Sequence, residues 1–162
     1  MGFDRIWSPW RKAYVTSGAK EAGCVLCRAL EGAADPANLV VHVAAHNFVV
    51  MNLYPYNAGH VMIAPRRHLG SLAEATPEEL CEMMTLARRL EGVIAQVYTP
   101  DGINLGMNLG KAAGAGVADH IHLHVLPRWV GDTNFMTTVG GTRVIPEDPV
   151  EARARLKAEL EK

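Results

Sequence analysis

Hydrophobic and polar positions alternate along one stretch of the chain more regularly than anywhere else in it. In ADHIHLHVLPRW, residues 118–129, Ile121, Leu123 and Val125 interleave with His120, His122 and His124. A period of two marks a strand, whose successive side chains point to opposite faces. The pattern predicts a strand over HIHLHVLP, ended by Pro127. Its aliphatic face belongs in the core, and its three imidazoles face a cleft or solvent. LVVHVAAHNFVVMNL predicts two more strands, over 39–44 and 47–53, and HVMIAP another over 60–65. INLGMNLG reads as a strand, KAAGAG as a flexible loop, YPYNAG as a loop, and ADPAN and PDG as turns.

Between the strands the period changes. Thr76-Pro77-Glu78-Glu79 is a helix start, with Thr as the cap, Pro at the first helical position and Glu at the third. Leu80, Met83, Met84, Ala87, Leu90, Ile94 and Val97 then recur at helical spacing. They predict a helix over 77–97 with both methionines in the core. CVLCRALE predicts a short helix near the N-terminus, and residues 149–161 a terminal one. Strands outnumber helices and are joined by short turns, so the expected class is α+β, a single domain with an antiparallel sheet and one long helix. Along the chain we expect an arm over 1–19 carrying Trp7, Trp10 and Tyr14, a central domain over 20–130, and a C-terminal extension over 131–162.

Composition narrows the class. With 162 residues, 49% hydrophobic and 20% charged, the chain fits one soluble globular domain. A net charge of -1 supplies no field for nucleic acid or a membrane. No apolar run approaches the roughly 20 residues of a membrane helix. The opening MGFDRIWSPWRKAY lacks the apolar stretch of a signal peptide, so a cytoplasmic location is expected. Three cysteines argue against a disulfide framework and leave Cys24-Val-Leu-Cys27 as a metal or redox pair.

Strand geometry limits what the histidines can share. Same-face neighbours on a strand stand roughly 6.6–6.8 Å apart, which puts His120 and His124 roughly 13 Å apart. That is too far for one ion with zinc–nitrogen bonds of about 2.0 Å, so at most two of the three share a metal. A neutral imidazole is also a nucleophile or a base, and a protonated neighbour stabilises phosphate oxygens. The pattern points to phosphoryl or nucleotidyl chemistry as well as to metal chemistry.

HIHLHVL matches at every position the His-φ-His-φ-His-φ-φ motif (φ apolar) of the histidine triad family, which the chain resembles over about residues 20–130. NLYPYNAGHVMIAPRRH, the helix after it and the INLGMNLG strand follow the family's order. The ends, IWSPWRKAYV and PRWVGDTNFMTTVGGTRVIPE, look like the bacterial branch described as diadenosine tetraphosphate phosphorylases or ATP adenylyltransferases. The resemblance implies attack by His122 on the α-phosphorus of a nucleotide, giving a nucleotidyl-histidine intermediate. Phosphate accepts the nucleotidyl group in a phosphorylase, and water in a hydrolase. It further implies that His124 contacts phosphate oxygens, that His120 orients His122 through its carbonyl, and that His60 lies near the phosphates. Asn52 and Asn108 match nucleotide-contacting positions. One position departs: Gly116 stands four residues before His120, where hydrolase branches often carry Gln or Ser. Glycines there could bring backbone amides to phosphates. Lys111 and Arg128 are candidate phosphate partners, whereas Arg66 and Arg67 read as surface charges.

A C-x-x-C pair supplies half a tetrahedral site. Some bacterial members complete it with the positions of His68 and His120. The resemblance thus implies a structural zinc on Cys24, Cys27, His68 and His120, no organic cofactor, and a homodimer. Cys81, His42 and His46 match no family role. Two other readings compete with nucleotidyl transfer: a metal-dependent enzyme whose triad activates water, and a non-catalytic nucleotide-binding protein on the same fold.

Overall fold

A computed structural model describes residues 23–35, 37–133, 135, 139 and 147–162. The expected N-terminal arm over 1–19 lies outside them. Helix α1 spans Val25–Glu31, followed by strands β1 (Val40–Val43), β2 (Asn47–Met51) and β3 (Val61–Pro65). The long helix α2 spans Pro77–Tyr98, β4 Gly102–Met107, β5 Leu123–Arg128, and helix α3 Pro149–Leu160. The strands form one antiparallel sheet in the order β1-β2-β3-β5-β4. The expected α+β architecture is therefore present.

Period-two alternation sorts residues to the two faces of the sheet. Val49, Met51, Val61, Ile63 and Val125 pack under α2 and α3, against Met83, Leu86, Leu90, Ile94 and Leu156. Phe48, Val50 and Ala64 point the other way, toward Leu26 of α1. The C-terminal extension joins this same core through Ala152, Leu156 and Leu160 of α3. Removing Leu90, wholly buried, by substitution with Ala should cost about 2–5 kcal/mol.

Helix α2 begins where its residues dictate. The Thr76 hydroxyl accepts from the Glu79 amide at 3.3 Å, and the Glu79 carboxylate accepts from the Thr76 amide at 2.8 Å. The helix ends at Thr99, which adopts a left-handed φ of 48°. Met83 is in the core as expected, but Met84 is 56% exposed. The buried stripe runs instead through Leu86 and Val93, which sit closer to its centre line on a 3.6-residue turn. Arg67 is not a free surface charge: its guanidinium donates twice to the Glu79 carboxylate, at 2.7 and 2.8 Å. That pairing lowers the Glu79 pKa to about 2. At the β1–β2 turn, the amides of Ala45, His46 and Asn47 all donate to the Glu82 carboxylate of α2.

The histidine run departs from its expected geometry. The ladder of β5 begins at Leu123, not at His120, and continues through Pro127 to Arg128. Pro127 is tolerated because β3 pairs with β5 only over Leu123, His124 and Val125. Beyond that, the Pro127 carbonyl accepts from the Asn57 side chain. His120, Ile121 and His122 lead into the ladder, anchored by a bond from the Ile121 amide to the Leu69 carbonyl at 2.8 Å. Among the described residues no helix is long and apolar enough to cross a membrane.

Candidate active site and cysteine–histidine cluster

The three histidines do not share an open face. His120 is fully buried and His122 nearly so, whereas His124 is half-buried on β5. Leaving the ladder lets His120 turn toward the end of β3, where its Nε2 lies 2.9 Å from the Pro65 carbonyl. A carbonyl only accepts, so Nε2 carries the proton and Nδ1 presents a lone pair. That Nδ1 lies 3.3 Å from Cys24 Sγ and 3.6 Å from Cys27 Sγ, and Cys27 Sγ lies 3.5 Å from His68 Nδ1. The four donor atoms lie within 4.8 Å of one another. Tetrahedral donors at about 2.3 Å for sulfur and about 2.0 Å for nitrogen stand roughly 3.5 Å apart. The separations fit a metal held by two thiolates and two imidazoles. The expected ligand set therefore converges, from α1, from the turn after β3, and from the histidine run.

The same reasoning fixes His122. Its Nδ1 lies 2.9 Å from the His120 carbonyl, so Nδ1 donates and Nε2 carries the free lone pair. His120 therefore meets the cysteine–histidine cluster with its ring and His122 with its backbone. The third histidine belongs to a different pair. The Tyr56 amide donates to His60 Nδ1 at 3.1 Å, which leaves the His60 proton on Nε2. His60 Nε2 lies 2.9 Å from His124 Nδ1. His60 donates, His124 accepts, and the His124 proton is left on its Nε2.

Both rings of this pair are held neutral. Burial, followed by the charges of His124 and His122, lowers the His60 pKa to about 3. Burial and then His122 lower that of His124 to about 4. The rings of His60 and His124 are 5.0 Å apart, with Tyr56 stacked 4.8 Å from His60 and 5.9 Å from His124. The His122 ring meets the His124 ring edge-on, at 4.9 Å. The result is one imidazole with a free lone pair beside one with a free N–H donor.

His60 itself is fully buried, with its Nε2 turned to His124. Asn52 stands beside this pair, its amide nitrogen 3.4 Å from His60 Nδ1. Asn108 is half-buried, and Lys111 and Gly116 are exposed in the loop that leads to His120. A Cβ at Gly116 would meet nothing within 4 Å, so no close approach requires glycine there. Arg128 lies six residues beyond His122, roughly 20 Å along an extended chain. Its guanidinium is engaged by Asp132 at 2.6 and 2.8 Å and by Asn104 at 2.7 Å. Tyr56, whose backbone amide sets a tautomer, escapes sequence reasoning because no side-chain pattern marks a functional amide.

Comparisons with known proteins bear on the family and the fold. The HIT domain family model matches residues 34–130, more than half of the chain. The chain is 36% identical to AP-4-A phosphorylase of Mycobacterium tuberculosis over 96% of its own length and 83% of that protein. It is 34% identical to bis(5'-adenosyl)-triphosphatase of Dictyostelium discoideum over 51% of its length and 54% of that protein. Its fold resembles that of a zinc-bound histidine triad family protein from Mycobacterium smegmatis, with a TM-score of 0.69 and 30% identity, covering 86% of this chain and 94% of the other. On the family match and the extent of these identities, the chain belongs to the histidine triad family.

Proposed function

We propose that the chain is a nucleotide-processing enzyme of the histidine triad family that transfers a nucleotidyl group through His122, with a dinucleoside polyphosphate as substrate and phosphate as acceptor. The observation that carries this reading is the bond from His122 Nδ1 to the His120 carbonyl, which leaves Nε2 as the nucleophile. In the first step His122 Nε2 forms a bond to the α-phosphorus, and the bond from that phosphorus to the bridging oxygen breaks. The leaving group is the remaining nucleoside polyphosphate. In the second step a phosphate oxygen attacks the same phosphorus, and the phosphorus–nitrogen bond breaks. The N–H on His124 Nε2 donates to a phosphate oxygen as charge builds on it. Asn52, Asn108 and Lys111 are proposed substrate contacts, with backbone amides near Gly116 as a further one. The similarity to a protein named AP-4-A phosphorylase, at 36% identity over 96% of the chain, supports phosphate over water.

Cys24, Cys27, His68 and His120 are the proposed ligands of a structural zinc. Bound there, zinc would hold α1 against the histidine run, and His122 would stay free to react. A homodimer is also proposed: β4 is an outer strand of the sheet, and its Leu105 is 51% exposed.

Incubation with diadenosine tetraphosphate, with and without inorganic phosphate, tests the reaction. ADP plus ATP formed only with phosphate is the expected result. AMP plus ATP formed without phosphate assigns a hydrolase. Binding without turnover assigns a non-catalytic nucleotide-binding protein.

A further inference from the structure

Glu147 lies beyond the residues matched by the family model, yet its carboxylate is the meeting point of three elements. Its side chain is 10% exposed and pairs with Arg155 of α3. The hydroxyl of Tyr98, the last residue of α2, lies 2.9 Å from each of its oxygens. The Gly59 amide donates to it at 3.2 Å. The Arg155 guanidinium in turn lies over the Tyr98 ring, 5.0 Å from its centroid. Gly59 directly precedes His60. It has a φ of +70°, and a Cβ there would come within 2.7 Å of the Tyr98 ring. The loop is therefore drawn tightly against Tyr98 with the Glu147 carboxylate as its clasp. Two residues earlier, Asn57 donates to the Pro127 carbonyl at 3.1 Å and to Asp132 at 2.8 Å. Between Asn52 and these two anchors sits Tyr56, whose amide fixes the proton position on His60.

We infer that Glu147 is a positioning residue: by clasping Gly59 against Tyr98 it keeps the Tyr56 amide on His60 Nδ1, and so dictates which nitrogen of His124 carries the proton. The inference rests on the proposed role of His124 as a phosphate donor. Were the loop released, His60 would lose the shorter donor to its Nδ1, the Tyr56 amide at 3.1 Å, and keep only the longer contact with the Asn52 amide nitrogen at 3.4 Å. It could then carry its proton on Nδ1, with Nε2 accepting from His124 Nδ1. The His124 proton would move to that nitrogen and leave a lone pair on Nε2. Each ring stays neutral and keeps one proton, but His124 would offer a phosphate oxygen a lone pair where it now offers an N–H.

Long-range proton–nitrogen spectra of 15N-histidine-labelled protein at neutral pH read the tautomers directly. The full chain is measured as wild type, E147A, E147Q and L156A. Wild type is expected to show His60 and His124 both protonated on Nε2. E147A should populate the Nδ1 tautomer of His60, with kcat falling roughly 10- to 100-fold and KM little changed. E147Q keeps an acceptor oxygen for Gly59 and should stay near wild type. L156A removes a fully buried leucine from the same helix; it should lower Tm and leave both tautomers in place. Wild-type tautomers in E147A overturn the inference, and so does an equal shift in L156A. A tautomer shift in E147A, with wild type inert toward dinucleoside polyphosphates, supports the positioning role and sinks the proposed reaction instead.

Discussion

His120 and His124 occupy equivalent places in one repeated motif, yet they use opposite ring nitrogens. His120 gives its Nε2 to a carbonyl and shows Nδ1 to two cysteines. His124 gives its Nδ1 to His60 and keeps Nε2 for whatever enters the site. The difference comes from their surroundings. A carbonyl at the end of β3 holds the proton of His120 on Nε2, and an amide in the 54–59 loop, acting through the His60 ring, holds that of His124 on Nε2 as well, so the same tautomer is turned to opposite uses. The two regions flank His122 and make separate contributions. In the proposed reading the cysteine cluster would hold the chain together, and the His60–His124 pair would present a proton.

That division can be broken most sharply at the residue between the regions. H122A should reduce turnover roughly 10^4-fold or more while leaving both flanking regions folded; retained turnover would remove the nucleophile from the mechanism. Removing the metal should act on stability. With zinc at roughly 1,000 times its Kd, chelation should cost about 4 kcal/mol, read as a drop in denaturation midpoint. Turnover by the molecules that remain folded should survive. Activity that disappears while the fold persists would favour a metal-activated water.

Acid should act on the other region. His60 and His124 have folded pKa values of about 3 and about 4, below an ordinary histidine at about 6.5. The folded state thus resists protonation that the unfolded chain accepts. The associated stability is intact above pH ~6.5 and is lost as pH falls through the folded values. Each ring should account for about 3 kcal/mol of loss between pH ~6.5 and ~4, and H60A should flatten that slope in urea titrations. The smallest effect is a control. T76A removes the cap of α2 and should cost about 1 kcal/mol, with metal content and histidine tautomers unchanged.

The legible parts of the sequence are those whose cause is local. The capping box at Thr76 and Glu79 placed the start of α2 because both partners lie within one turn. The alternation in the strands assigned most core residues, since a ladder imposes a period of two. The cluster of Cys24, Cys27, His68 and His120 was legible only through family resemblance, because its members are up to 96 residues apart. What was hidden depends on backbone groups or distant pairs. The start of β5 slipped from His120 to Leu123, because pairing with Ile63 decides where the ladder begins. The pairing of Arg128 with Asp132 is equally hidden, because no pattern in the sequence reveals that Asp132 folds back onto it. The clasp at Glu147 joins residues 88 apart, with no pattern at either end.

The two rims of the sheet are unlike. At β1 the carbonyl of Val40 already accepts from Arg153 of α3, at 2.8 Å, while at the far rim β4 carries the exposed pattern of a strand whose outer side is free among the described residues. Strand addition is thereby hindered at the Val40 end of β1 and unhindered at β4. If two copies join through their β4 rims about a twofold axis, each consumes the other's free rim, and polymerisation ends at the pair. In such a pair the helix at the first rim would act as a chain terminator, limiting the stoichiometry of assembly from the side opposite to the contact.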